Sequence, residues 1–127
     1  MLIYKPNGQF QGVNDKVTQQ TDIPATVLDY IGYTGKFMAY GKSVFDTTEA
    51  RFVYNYHSSD YMIITDDFAL QFDGSKSIGL YQYKMDSSLN DNLIFEYPNI
   101  TATMEEKLKA IIQTHHEAMV RNKLMPE

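Results

Sequence analysis

The chain has 127 residues, 43% of them hydrophobic, which suits one small domain with a buried core and argues against global disorder. Its formal net charge is −5 and no stretch concentrates Lys and Arg, so a nucleic-acid backbone is an unfavourable partner. Cysteine is absent, which excludes disulfides, thiolate metal sites and a cysteine nucleophile.

The N-terminal region predicts a strand followed by a loop. Residues 2–4, Leu-Ile-Tyr, form a short apolar run that ends before Pro6, as a buried strand does. A domain seldom begins inside a strand, so we expect this chain to be a piece of a longer protein. Residues 8–16 are polar with two glycines and predict a loop.

A helix is predicted next. Thr21 or Asp22 can cap it, because a side-chain oxygen there accepts a hydrogen bond from an early helical N–H. Pro24 falls in the first turn, where its missing N–H costs nothing. Gly32 suits the left-handed residue just beyond the helix end. The apolar residues at positions 23, 27, 28 and 31 form one stripe.

After an ordered connection over residues 33–50, the pattern changes to period two and to β-prone residues. Four strands are predicted, joined by short turns rich in aspartate and glycine. Short strands with short turns indicate an antiparallel meander. The predicted strands cover residues 52–56, 61–65, 68–72 and 78–83.

A long C-terminal helix is predicted from about Thr103 to Lys123. Thr103 and Glu106 have the spacing of a capping box, and apolar residues recur on one face. We expect this helix to pack across the sheet, so the predicted fold class is α+β, a four-stranded antiparallel sheet packed by a long C-terminal helix. The packing face comprises Met104, Leu108, Ile111, Ile112, His115 and Met119.

The titratable residues show no catalytic pattern. His115 and His116 point about 100° apart on a helix and are poorly placed to share one metal. We interpret His115 as flanking the buried stripe and His116 as solvated. The acidic residues from Asp86 to Asp91 are candidates for calcium binding or acid–base chemistry, but their spacing departs from the EF-hand pattern.

The sequence contains no nucleophile elbow and no glycine-rich phosphate loop. The Tyr and Phe residues on the strands could form a stacking platform for bases or sugars. We favour the alternative, in which they form a core face with tyrosines at its wet edge. The residues by themselves therefore indicate an α+β domain without a visible active site.

Residues 20–32 read QTDIPATVLDYIG and resemble the pattern Q-x-D-[IL]-x-P-T-[LVI]-L-x-x-[LI]-G. That segment lies late in the catalytic domain of alkaline-phosphatase-type sulfatases and of lipoteichoic-acid-synthase-like phosphoglycerol transferases. The proline stands one position early here. Residues 2–6, LIYKP, are similar to the family strand that ends P-L-I-x-Y-x-P.

Two further segments extend the resemblance in the same order. Residues 37–45, FMAYGKSVF, look like P-F-x-x-x-G-x-[SD]-[LV]-F. Residues 79–93 resemble x-L-Y-[DN]-[LF]-x-x-D-P-x-x-x-x-N-L, with Ser87 in place of the proline. The four motifs cover nearly the whole chain, and their spacing fits the membrane-anchored, lipoteichoic-acid-synthase-like branch better than classical sulfatases.

The resemblance implies chemistry that lies outside this chain. In the family, a divalent metal (Mn, Mg, Ca or Zn) is held by carboxylates and a histidine and activates a threonine, or formylglycine in true sulfatases. Those motifs lie upstream of the matched segments, so we expect no catalytic and no metal-ligating residue and no cofactor in this chain. His57 and Tyr61 are the residues that we expect to contact substrate.

The resemblance also divides the chain. Residues 1–45 would be the last strand and helix of an α/β alkaline-phosphatase-type core, and residues 46–127 a C-terminal subdomain of antiparallel strands and one helix. The implied partner is the upstream catalytic domain of the same polypeptide. The implied location is extracytoplasmic, on the periplasmic side of the inner membrane, with membrane contact only through N-terminal helices that this chain lacks.

Two other interpretations stay open. The chain could be a free-standing, non-enzymatic module that binds glycans or a protein through the aromatic face of its sheet. It could also be a structural domain that dimerises through its final helix.

Overall fold

The fold comes from a computed structural model, which describes residues 3–4, 12–48 and 50–124. Six elements follow one another in chain order. They are α1 (Asp22–Tyr30), β1 (Val53–His57), β2 (Asp60–Ile64), β3 (Ala69–Phe72), β4 (Ser77–Tyr81) and α2 (Pro98–Val120).

The strand predicted at residues 2–4 does not form in the described part of that segment. Leu2 lies outside the described residues, and Ile3 and Tyr4 adopt no strand. Tyr4 is 80% exposed. An apolar run becomes a strand only when another strand pairs with it, and the sheet of the described residues contains β1 to β4 alone.

The four strands form an antiparallel meander in the order β1-β2-β3-β4, as predicted. A two-residue turn joins β1 to β2, and both Ser58 and Ser59 have positive φ, 52° and 76°. Such a turn matches the right-handed twist of its strands, although it normally favours Asn and Gly. The turn between β3 and β4 is closed by Asp73, whose carboxylate accepts the N–H groups of Ser75 and Lys76, both at 2.8 Å.

The core lies between one face of the sheet and α2. Neighbouring strands place Ile63 beside Leu70 and Leu70 beside Leu80, and all three side chains are fully buried. Met104 and Leu108 of α2 pack onto this row. The α+β fold class, with a long C-terminal helix on a four-stranded antiparallel sheet, is therefore confirmed.

Helix α2 begins earlier than the sequence predicts. Its first residue is Pro98, whose fixed φ is preorganised for the first helical position. The predicted capping box at Thr103 is wrong, because Thr103 lies inside the helix, where its hydroxyl donates to the carbonyl of Asn99 at 2.9 Å. Tyr97 precedes the helix and makes no side-chain capping bond.

Helix α1 forms as predicted, but its start is built differently. Thr21 has helical φ and ψ and makes no side-chain capping bond. Asp22 is a helical residue, and its carboxylate turns back to accept the N–H of Gln19 at 2.9 Å. The end of α1 follows the prediction, since Gly32 has φ 70° and its N–H donates to the carbonyl of Asp29.

Of the four residues of the predicted apolar stripe of α1, Leu28 is half-buried and the other three face outward. Ile23, Val27 and Ile31 are 44%, 53% and 66% exposed. The buried side of the helix carries Asp22, Ala25 and Thr26 instead. Two of these inward residues are polar, so the inner contact of α1 is made largely through hydrogen bonds.

The outer edge of β4 is occupied by the segment that follows it. The side-chain oxygen of Asn92 accepts the N–H of Leu80 at 3.1 Å, and its amide nitrogen donates to the carbonyl of Ile78 at 3.0 Å. The N–H of Leu93 donates to the carbonyl of Leu80 at 2.8 Å. These bonds satisfy backbone groups that an edge strand would otherwise present to another chain.

Candidate functional site

The two residues predicted to contact substrate lie in the same hairpin but on opposite faces of the sheet. His57 is the last residue of β1 and is exposed, opposite Asp60 of β2. Tyr61 pairs with Tyr56, one position along the ladder, and is half-buried. Side chains alternate between the faces of a sheet, so the structure does not bring His57 and Tyr61 together.

The strand aromatics lie mainly on the face that α2 covers. The ring of Tyr61 is 4.6 Å from that of Tyr56 and 6.5 Å from that of Phe72, measured between centroids. Phe72 is buried, while Tyr56 at the edge is 60% exposed. The rings of Tyr56 and Tyr61 are inclined by 44°. Because Phe72 is buried and Tyr61 is half-buried, this row leaves only the ring of Tyr56 well exposed to a sugar or a base.

The adjacent histidines of α2 have different surroundings. His116 is exposed and His115 is half-buried, as the sequence predicts. The ring of His115 meets that of Tyr40 edge to face, with centroids 4.9 Å apart. Its buried Nδ1 has no hydrogen-bond partner within the described part of the chain, and neither has the Tyr40 hydroxyl.

The acidic cluster after β4 organises its own loop. The carboxylate of Asp86 accepts the N–H groups of Asp91 at 2.9 Å, of Ser88 at 3.2 Å, and of Asn90. These hydrogen bonds, of which the one from Asp91 has the largest effect, hold the pKa of Asp86 below its ordinary value. Within residues 3–4, 12–48 and 50–124, no three His, Asp or Glu side chains come together in a group that could hold a metal ion.

Neither helix of the described residues has the length and apolar character needed to cross a bilayer. The longer one, α2, carries polar and charged residues over most of its surface.

The most highly organised polar cluster surrounds Asp22. One of its carboxylate oxygens accepts from the guanidinium of Arg51 at 2.7 Å and from the N–H of Gln19 at 2.9 Å. The other accepts the N–H of Lys42 at 2.9 Å. Asp22 is 2% exposed and Arg51 is 7% exposed. A buried charge requires such complete pairing.

Arg51 uses its remaining donors to hold two further segments, the one at Val17 and the one at Lys42 and Ser43. Its Nε donates to the carbonyl of Val17 at 3.1 Å, and its two terminal nitrogens donate to Ser43 at 2.8 Å and Lys42 at 3.1 Å. The planar guanidinium suits this arrangement, because it presents five donors in a fixed geometry. Arg51 therefore fastens the start of the sheet to α1 and to the connection between them.

Thr26, one turn further along α1, makes a second link to that connection. Its hydroxyl donates to the carbonyl of Asp22 at 2.7 Å and accepts the N–H of Val44 at 3.1 Å. Gly41 permits the close approach, because a Cβ at that position would overlap the carbonyl of Thr21. The connection is thus held against α1 by hydrogen bonds to buried side chains.

The connection and α1 form the two walls of an open groove of about 820 Å³. Its lining combines aromatic rings with charged and hydroxyl side chains. The lining residues are Ala25, Asp29, Tyr33, Phe37, Gly41, Lys42, Ser43, Phe45, Asp46, Thr47 and Thr48.

The sequence does not predict that Asp22 and Arg51 come together with the backbone of Lys42 and Ser43. The pair of Asp22 and Arg51 is separated by 29 positions, and no local pattern links the two residues. The only sequence signal is the presence of Asp22 and Thr26 in the motif of residues 20–32. The aromatic residues of the groove are visible in the sequence, but the folding of the connection against α1 is not.

Comparison with models of known protein families found no match for this chain. The search of curated proteins also found no matching relative.

Proposed function

We propose that this chain forms the C-terminal part of an extracytoplasmic phosphoglycerol transferase or sulfatase of the alkaline phosphatase type. In this proposal the chain supports an upstream catalytic domain of the same polypeptide. That upstream domain carries the divalent metal and the nucleophile.

The observation that carries the proposal is the structural role of the motif at residues 20–32. The polar positions of that motif, Asp22 and Thr26, are buried and bind the backbone of Lys42 and Val44. A motif that fixes the path of a later segment has a physical reason to keep its residue types and spacing. The segment that is held belongs to another of the motifs, residues 37–45.

The outer face of α1 gives further support. Ile23, Val27 and Ile31 form an exposed apolar stripe on a helix whose inner face is already occupied. A contiguous apolar face of this kind marks an interaction surface. In the proposed enzyme, the upstream domain covers it.

The first test is the reading frame that encodes this chain and the activity of its longer product. We expect an upstream segment with transmembrane helices, a threonine nucleophile and an Asp-His-Gly motif. The longer product should cleave a nitrophenyl phosphodiester of glycerol or nitrophenyl sulfate in Mn²⁺, Mg²⁺, Ca²⁺ or Zn²⁺, and the present chain should cleave neither. Metal-dependent turnover by the purified present chain, or a frame without the upstream motifs, would refute the proposal.

The second test addresses the apolar face. Val27→Asp leaves the isolated chain folded because the side chain is 53% exposed, but it places a charge in the proposed contact with the upstream domain. The longer product should therefore lose thermal stability. Val120→Asp is the matched control, since Val120 is 72% exposed at the end of α2. Equal effects of the two substitutions on the longer product would contradict the assigned interface.

A further inference from the structure

The groove between α1 and the connection has the composition of a ligand site. Tyr33 and Phe37, which are 48% and 45% exposed, line it, and their rings lie 6.3 Å apart between centroids and are inclined by 60°, so they face a ligand from two directions. Small-molecule sites are typically concave spaces of about 300–1,000 Å³ with aromatic lining and a few polar groups. The groove, at about 820 Å³, falls within that range.

The wall of the groove formed around residues 42–44 is held in place without a ligand. The backbone of Lys42 is bound to the buried carboxylate of Asp22, and that of Val44 to the buried hydroxyl of Thr26. The carbonyls of Lys42 and Ser43 also accept from the buried guanidinium of Arg51. A wall that is fixed in advance loses little conformational entropy when a ligand binds.

The polar groups of the groove define the ligand class. Asp29 and Asp46 contribute two carboxylates, and Lys42 contributes one ammonium group. The Asp46 carboxylate accepts from the hydroxyl of Thr48 at 2.7 Å and from its N–H at 2.9 Å, and these bonds lower its pKa. Both carboxylates are acceptors for ligand hydroxyl or ammonium groups, and their excess of negative charge repels acidic ligands.

We propose that this groove binds a saccharide without acidic groups, and that an amino sugar binds more tightly than its N-acetylated form. The rings of Tyr33 and Phe37 contact the C–H faces of the sugar. Asp29 and Asp46 accept from its hydroxyl and ammonium groups. This site lies apart from the strand aromatics and does not depend on the proposed catalytic partner, so either proposal can fail without the other.

A titration of the isotope-labelled chain, followed by NMR, tests the proposal. The probes are a glucosamine trimer, the corresponding N-acetylglucosamine trimer and a hyaluronan tetrasaccharide as the acidic comparison. We expect saturable shifts at the amides of Gly41, Ser43 and Phe45 with the first two probes, tighter binding of the glucosamine trimer, and no binding of hyaluronan. Absence of saturable shifts with both neutral and amino probes overturns the proposal, as do shifts centred on Tyr56 and Tyr61 or tighter binding of hyaluronan.

Two substitutions sharpen the test. Phe37→Ala should lower the affinity for both trimers about tenfold, equivalent to about 1.4 kcal/mol. Phe95→Ala should leave the affinity unchanged, because Phe95 is 92% exposed outside the groove. Asp29→Asn keeps an acceptor for the hydroxyl of Ser43 and removes one charge. This substitution should lower the affinity for the glucosamine trimer and leave the affinity for the N-acetylglucosamine trimer unchanged. The proposal would be overturned if Phe37→Ala and Phe95→Ala bound the trimers equally well. It would also be overturned if Asp29→Asn bound the glucosamine trimer as tightly as the unsubstituted chain does.

Discussion

The carboxylate of Asp22 and the guanidinium of Arg51 meet at 2.7 Å, with 3% and 5% of their side chains exposed. The pair joins α1 to the segment that leads into β1, across a connection of some twenty residues to which both partners also bind. Replacing a buried ion pair by apolar residues is often tolerated, whereas removal of one partner leaves the other charge uncompensated. The attachment of α1 to the segment that leads into β1 therefore depends on both residues.

Asp22→Asn should lower the free energy of unfolding by about 3 kcal/mol or more. In either orientation the new amide group places its NH₂ against a donor, either Arg51 and Gln19 or the N–H of Lys42. Urea denaturation measures the loss. Lys109→Ala is the control, because its ion pair with Glu105 lies on the surface and such pairs contribute about 0–1 kcal/mol. Equal losses for the two substitutions would show that the buried pair has no special role.

Leu108→Ala should reduce the free energy of unfolding by about 2–5 kcal/mol, because Leu108 is fully buried between α2 and the sheet. Leu124→Ala makes the same chemical change at a side chain that is 44% exposed and should cost about 0.5 kcal/mol or less. Thermal or urea denaturation of both variants provides the comparison. A small loss for Leu108→Ala would mean that α2 is not fixed against the core.

Much of the sheet could be predicted because its determinants are local. Alternation of apolar residues identifies the strands, and Asp73 with Gly74 identifies a turn that the structure closes with the Asp73 carboxylate. The start of α2 could not be predicted as reliably, because Thr103 and Pro98 are competing signals and the proline supplies the stronger constraint on φ. Sequence signals of this kind extend over a few residues only.

The candidate sites depend on contacts that such signals do not report. Asp22 satisfies the local rule for a cap, yet its carboxylate binds Arg51 and Lys42, which are 29 and 20 positions away. The apolar stripe of Ile23, Val27 and Ile31 satisfies the rule for a buried helix face, yet the described fold leaves it exposed. Tertiary pairing decides both outcomes.

Ser59→Gly should stabilise the chain by about 1 kcal/mol. Ser59 has φ 76°, a left-handed conformation that is strained for residues with a Cβ and free of that cost for glycine. Ser87→Gly serves as the control, since Ser87 lies in another exposed turn without positive φ and gains nothing from the substitution. Urea midpoints of the two variants give the test, and a destabilised Ser59→Gly would contradict the assigned turn geometry.

The loop held by Asp86 should respond to acid. Bonds from the backbone of Asp91, Asn90 and Ser88 lower the pKa of Asp86 from its ordinary value of 3.8. A carboxyl whose pKa is lower in the folded state contributes stability above the unfolded pKa, and this contribution is lost as the pH falls through the folded pKa. The difference in urea midpoint between the unsubstituted chain and Asp86→Asn should therefore be largest at pH 7 and shrink below pH of about 4.

Ser87→Ala, in the same loop, provides the comparison for this pH series. It removes no titratable group, so its offset from the unsubstituted chain should stay constant over the range in which that of Asp86→Asn shrinks. An offset for Asp86→Asn that is independent of pH would show that the charge on this carboxylate does not support the loop.

The side chain of Asn92 and the backbone of Leu93 occupy the outer backbone groups of Ile78 and Leu80 in β4, so among the described residues the edge left to a new strand is that of β1. Even there, the N–H of Tyr54 already donates to the side chain of Gln19 at 3.2 Å. Fibrillar growth by strand addition needs an acceptor edge on both sides of every subunit, and the described part of this chain offers one at most. Association through that edge would stop at a twofold pair, because the second copy brings no further edge to extend.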